Sequence, residues 1–306
     1  MKKTTLGFLS LLASGMIFGS FGVLIRLLSA ELDTYQQIAA RNTTGFLLAI
    51  IIAVVLKSSW RLSQVGKKHV LLYVLSTQLV TIFFTLAILN TKIGVAIFAA
   101  YIGTVPTSIL IGIWYFKESM TRLKAIGLGL VFVGLLFFVA PSFSSGAVNV
   151  GFFMGLFAGI MDGVSYFSGK FLAGKIDRFV LIAIQMFGSV LLAGMMMAYT
   201  GSSFTPHMSP FTVLIAILFG AGLISISFLT LFGLQNFDLG IGSVVISSEI
   251  FFGTLFALLI FHERPNTYEF IGGILIVLAI ILVNYEDLSA FYKKSFRSRS
   301  ANESHR

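Results

Sequence analysis

The sequence predicts an all-α integral membrane protein whose ten transmembrane helices form two inverted five-helix repeats. Three observations predict it. The 306-residue chain is 57% apolar and 11% charged, where ordinary globular chains are about 45–50% apolar and about 25% charged. That much apolar surface cannot be hidden from water in a sphere of this size, so the solvent is lipid. The apolar residues fall in ten runs near the twenty residues that cross a bilayer. The two halves also repeat each other at a nearly constant spacing. The composition excludes a soluble enzyme and a disordered chain, and the unbroken runs disfavour a β-barrel.

The runs cover residues 5–25, 34–56, 70–90, 93–116, 125–143, 147–169, 179–200, 211–234, 239–261 and 267–285. Each must be helical, because lipid cannot satisfy backbone polar groups. The run after Met1-Lys2-Lys3 is read as the first span and not as a signal peptide. It is too long for an apolar signal core, and it has a counterpart in the second half. The loops are short, so no soluble domain is inserted. Residues 288–306 read as a basic, polar, disordered tail. The chain has no Cys, which removes disulfides, thiolate catalysis and Cys-ligated metal.

Ten spans place both termini on one side. With the termini in the cytoplasm, that side holds Lys2, Lys3, Lys57, Arg61, Lys67, Lys68, Lys117, Arg122, Lys124, Lys170, Lys175, Arg178, Lys293, Lys294, Arg297, Arg299 and Arg306. Only Arg26, Lys92 and Arg264 fall outside, and Arg41 lies within a span. This is a strong positive-inside bias. The net charge of +9 is therefore a topology device, with anionic lipid headgroups as secondary partners. It does not call for nucleic acid.

Gly15, Gly19, Arg26 and Asp33 reappear 144 residues later as Gly159, Gly163, Lys170 and Asp177. Phe116-Lys117-Glu118 answers Phe261-His262-Glu263 at 145, and Asn90 and Gly94 answer Asn236 and Gly240 at 146. Five spans is an odd number, so the halves enter the membrane in opposite directions. Residues 1–143 and 144–287 are the expected repeats. One pattern in two orientations can exchange an inward and an outward conformation, the logic of alternating-access carriers.

On these motifs the chain resembles the drug/metabolite transporter superfamily, in the group with two EamA domains. The resemblance is carried by the tandem repeat, Ala40-Arg41 in span 2, Asn90-Thr91-Lys92-Ile93-Gly94 before span 4, and Glu118 and Glu263 closing spans 4 and 9. The family's Glu-Pro step is present in part. Glu249 lies 14 residues before Glu263 with Ile250 in place of Pro, and Thr104 takes the Glu position in the first half, with Pro106 displaced by one. Gln185 is the counterpart of Arg41. The resemblance implies a secondary transporter, most often an exporter, of a small organic metabolite such as an amino acid. It further implies a bacterial inner membrane, no cofactor or metal, and a monomer or homodimer.

Three charges lie well inside spans: Arg41, Asp162 and Glu249. Each costs roughly 2.5–3.5 kcal/mol at a helix centre, so such groups read as functional by default. Glu249, beside Ser247 and Ser248, reads as a proton or cation site, or else as a carboxyl that locks helix packing. Asp162 shares a helix face with Ser165 and Tyr166. It reads as a substrate-ammonium or proton site, or as half of an ion pair with Arg41. Arg41 reads as substrate-binding, or as snorkelling towards the outer interface. Tyr101, Tyr166 and Gln78 are the expected pore-lining residues. Trp114 sits near a span end, where aromatic belts occur. Gly15, Gly19, Gly159 and Gly163 form small-residue stripes, expected to bring spans 1 and 6 together at a sliding surface. Glu118 and Glu263 read as caps for spans 5 and 10, with Pro265 at the start of span 10. A membrane-embedded enzyme is disfavoured because no catalytic motif is present. A channel is disfavoured by the lack of a charged ring or filter-like loop.

Overall fold

The computed structural model describes residues 3–60, 66–144, 150–203, 208–264 and 266–283. The tail at 288–306, Pro265 and the loop charge Arg61 lie outside the described residues. The helices are α1 (Lys3–Gly19), α2 (Phe21–Leu28), α3 (Thr34–Val55), α4 (Lys67–Asn90), α5 (Ile93–Phe116), α6 (Arg122–Ser144), α7 (Val150–Leu172), α8 (Arg178–Thr200), α9 (Pro210–Gln235), α10 (Leu239–Ile246), α11 (Ser248–Phe261) and α12 (Thr267–Val283). Among the described residues, eight spans are long and apolar enough to cross a membrane, and shorter apolar stretches lie in α6 and α12. The ten expected spans are therefore α1–α2, α3 to α9 singly, α10–α11, and α12.

Two spans are interrupted where the sequence predicted continuous runs. The first bends at Ser20, whose hydroxyl donates to the Ile17 carbonyl at 2.6 Å, and the ninth bends at Ser247, which donates to Val244 at 2.6 Å. A serine bonded back to the preceding turn bends a helix.

Helix starts and ends obey the repeat. Asp33 caps α3 by accepting from the Tyr35 and Gln36 amides at 2.8 and 2.9 Å. Its counterpart Asp177 caps α8 through the Phe179 amide at 2.9 Å. Asn90 and Asn236 each donate to the carbonyl four residues back, at 2.8 Å. The same side chains close the same turns in both halves, as local bonding by Asp and Asn requires.

The packing follows a pseudo-twofold axis. α3 packs on α8, and α6 on α12, each helix against its own counterpart. The remaining large contacts come in matched pairs: α4 with α7 and α9 with α1, and α5 with α7 and α10–α11 with α1. Spans 1 and 6 thus insert into the opposite halves.

This corrects the expected contact between spans 1 and 6. The Gly15 and Gly19 stripe meets Ile246, Ser248, Phe252 and Gly253, and Gly159 and Gly163 meet Ala100, Thr104 and Thr107. Each glycine stripe admits a helix of the other repeat, because like elements related by the axis are displaced from it while their complements face them. A Cβ at Gly19 would lie 2.7 Å from the Gly253 nitrogen, and one at Gly159 would overlap the Ala100 carbonyl.

These contacts set a test of sign. Alanine gains about 0.8–1.0 kcal/mol of helix propensity over glycine, whereas overpacking costs about 1–3 kcal/mol. Gly159→Ala is therefore expected to lower the Tm of the purified protein. Gly194→Ala, where a Cβ meets nothing within 4 Å, is expected to leave it unchanged or raise it. Thermal denaturation followed by tryptophan fluorescence reads both.

Candidate functional site

α5 and α11 end in the same turn. Lys117 (φ 56°) and His262 (φ 55°) both adopt the left-handed conformation. The following amides, Glu118 and Glu263, reach back to the Gly112 and Ala257 carbonyls at 3.1 and 3.3 Å. A left-handed residue ends a helix in this way, and a non-glycine there costs roughly 1–2 kcal/mol. The turn swings the glutamate off its own helix towards a neighbour.

The neighbour supplies a cation. At one end of the bundle Arg26 of α2 pairs with Glu263 and donates to the Thr91 carbonyl at 3.1 Å, with its guanidinium 5.7 Å from the Phe261 ring centre. At the opposite end Lys170 of α7 pairs with Glu118 at 2.7 Å and donates to the Phe237 carbonyl at 2.7 Å. Its ammonium lies 4.9 Å from the Phe116 ring centre. All four partners correspond at the repeat spacing. The same clamp is built twice, once at each end, and each joins the two repeats.

The clamps differ in depth. The Arg26 and Glu263 side chains are 24% and 29% exposed, against 15% and 12% for Lys170 and Glu118. Glu118 also accepts from the Leu239 and Gly240 amides at 2.6 and 3.2 Å, at the α10 N-terminus, where the helix dipole favours a carboxylate. Glu118 thus caps α10 of the other repeat, not span 5 as expected. The left-handed turn at Lys117 aims it there. Among the described residues Glu263 is engaged by Arg26.

Between the clamps lies a cavity. Its lining runs from Ile25, next to Arg26, to Gly169, next to Lys170. It offers about 100 Å³ to the centres of water molecules. That is well beyond what a single water needs and leaves room for a small organic molecule. Phe18, Phe21, Phe84, Phe219, Tyr73 and Tyr166 line the cavity together with aliphatic and polar side chains.

The cavity straddles the pseudo-twofold axis. Phe18 and Asp162 are repeat counterparts, as are Arg41 and Gln185, and all four line it. Its shape follows the symmetry, but its charges do not.

Arg41 is buried, at 3% exposed. It does not snorkel. One nitrogen donates to Thr85 Oγ1 at 2.7 Å, and the guanidinium lies 4.4 Å over the Phe219 ring. Its Nε and Nη1 have no partner, and among the described residues it makes no ion pair. Asp162 is half-buried and accepts from Ser165 Oγ at 3.2 Å and Thr104 Oγ1 at 3.5 Å. Gln185 accepts from the Tyr73 hydroxyl at 2.7 Å.

The other predicted residues sit elsewhere. Tyr101 donates to Glu249 at 2.7 Å and lies 3.1 Å from the Ile246 carbonyl. Both side chains are buried outside the cavity lining, beside the bend at Ser247. Gln78 lies in the seam between α4 and α8, donating to the Gln185 carbonyl at 3.0 Å and accepting from Ser189. Trp114 is exposed near the end of α5. Thr85 and Phe219, which orient Arg41, carry no sequence signal of their own. The clamp residues did carry one, since their four-part repetition was visible, but reading along each half hid the pairing across halves.

Comparison with known proteins agrees with this architecture. No curated protein matches the chain. A crystallographically determined protein chain is similar in fold, with a TM-score of 0.74 at 15% sequence identity, over 92% of this chain and 97% of its own. The EamA-like transporter family matches residues 5–140 and 149–285, one segment for each repeat. The chain belongs to the EamA-like transporter family.

Proposed function

We propose that the chain is a secondary transporter of a small organic metabolite, an exporter in the bacterial inner membrane with both termini cytoplasmic. It works by alternating access, with Arg26–Glu263 as the outer clamp and Lys170–Glu118 as the inner one. One observation carries the reading: the same clamp occurs at both ends of a cavity that straddles the axis relating the repeats. Exchanging the conformations of the two repeats opens one clamp and keeps the other. The clamps are part-buried ion pairs near the ends of the bundle, where opening one returns its charges to solvent. The shallower Arg26 clamp lacks the two backbone amides that hold Glu118, so it opens more readily.

Glu249 is the coupling carboxyl in this reading. It sits at the bend of span 9 against Gly15 of span 1, with one carboxylate oxygen unpartnered. A proton there changes charge at the surface where the repeats slide.

The chain has no Cys, so Ser227→Cys in the cavity wall provides a single reporter thiol. In that background Glu263→Gln is expected to raise labelling by a membrane-impermeant maleimide from the Arg26 face. Glu118→Gln is expected to raise it from the opposite face. A rise of about fivefold corresponds to a shift of about 1 kcal/mol. Labelling from one face only in all three proteins would remove alternation. Separately, Glu249→Gln is expected to abolish flux driven by a pH gradient in proteoliposomes while keeping exchange at equal pH. Unchanged pH dependence would remove the proton from the mechanism.

A further inference from the structure

We infer that the Lys170 end of the bundle carries a site for an anionic phospholipid, its headgroup phosphate held by Lys67 and Lys68 of α4 and by Lys175 on the turn between α7 and α8. The site lies outside the cavity and its clamps, and the inference stands independently of the carrier reading.

The Lys175 ammonium lies 3.3 Å from the Phe171 ring centre. The His69 ring stacks on the same Phe171, with ring centres 4.0 Å apart. Phe171 thus ties Lys175 to the first turn of α4, where Lys67 and Lys68 precede His69. All three lysines are exposed. Among the described residues no carboxylate pairs with them. Asp177, two residues beyond Lys175, is committed to the Phe179 amide, and Arg178 is turned towards Gln235 and Phe232. The start of α4 has no side-chain cap, and basic side chains there oppose the helix dipole. Like charges gathered in this way are stabilised by an anion placed among them.

The repeat shows what this place lacks. Lys175 corresponds to Glu31 at the spacing of 144. Glu31 accepts from the Ser209 amide at 2.9 Å, at the start of α9, the counterpart of α4. No basic residue stands in the first turn of α9. At that end the chain supplies its own anion to the helix start. At the Lys170 end a cation replaces the carboxylate and two more are added, so the anion comes from outside. The surroundings select a lipid. Leu71, Leu72 and Leu75 follow Lys68 at spacings of three, four and seven, which place them on one helix face, and all are exposed. An apolar stripe that begins at a cation matches acyl chains beneath a charged headgroup. A free phosphate would leave the stripe unused.

The test uses the full-length protein in detergent and reads bound lipid by native mass spectrometry. The probes are phosphatidylglycerol and phosphatidylcholine with the same acyl chains, and inorganic phosphate as a competitor. Phosphatidylglycerol is expected to bind at least about tenfold more tightly than phosphatidylcholine, whose choline cancels the phosphate charge. Lys67→Gln, Lys68→Gln and Lys175→Gln are each expected to weaken phosphatidylglycerol about fivefold, the share of one lysine beside an anionic headgroup, and to leave phosphatidylcholine unchanged. Lys175→Glu, which restores the residue of the other repeat, is expected to remove more of the preference than Lys175→Gln. Lys3→Gln on α1 and Arg122→Gln on α6 are expected to change neither lipid. Equal binding of the two lipids by the intact protein would overturn the inference. So would an equal loss of phosphatidylglycerol in the Lys3 and Arg122 variants, which would mark diffuse attraction to the whole basic end. Displacement of phosphatidylglycerol by an equal concentration of inorganic phosphate would also overturn it, by marking a site for the free anion.

Discussion

Close approach of helices across the repeats is the interaction on which the rest depends. Within lipid, helices gain little from hydrophobic burial against each other, so they associate through tight contacts of small residues. Gly15 and Gly19 let α1 sink against the bend between α10 and α11, and Gly159 and Gly163 let α7 sink against α5. That depth brings Arg26 within reach of Glu263, and Lys170 within reach of Glu118. It also sets Asp162 beside Thr104. A single added methyl in either seam pushes these groups apart together.

Duplication supplies a scaffold, and departures from it supply chemistry. Where the halves agree, the residues are structural: capping aspartates at Asp33 and Asp177, left-handed turns at Lys117 and His262, and clamps at both ends. Three positions where they differ face the interior. Arg41 stands opposite Gln185, Asp162 opposite Phe18, and Glu249 opposite Thr104. The frame of the cavity is symmetric, and the charges inside it are not.

The two clamps are alike in composition and unlike in strength. Glu118 is deeper and holds two amides of α10 as well as Lys170. Glu263 is more exposed, while both cations, Arg26 and Lys170, are shared alike with a backbone carbonyl. An ion pair that loses solvent screening gains strength only if its other polar contacts stay satisfied. The Glu118 clamp meets that condition better, through the Leu239 and Gly240 amides.

Ten spans, their helical nature, the inverted repeat and the family were legible in the sequence. Each follows from local physics: lipid forces helices, run length sets span number, and an odd number of spans inverts the second half. The three interior charges were legible too, because each is too costly to keep in lipid without a use. The partners of these groups were not. Glycine spacing says that a helix comes close but not which one, and here it was the opposite half. Glu118 and Glu263 read as local caps because the left-handed turns that redirect them are a backbone choice made by packing. Gln78 and Tyr101 read as lining from their chemistry, but Gln78 lies on the face of α4 that meets α8, and α5, which carries Tyr101, gives no residue to the cavity wall. Which face of a helix meets which neighbour depends on contacts between residues more than a hundred positions apart, and only the tertiary structure decides that.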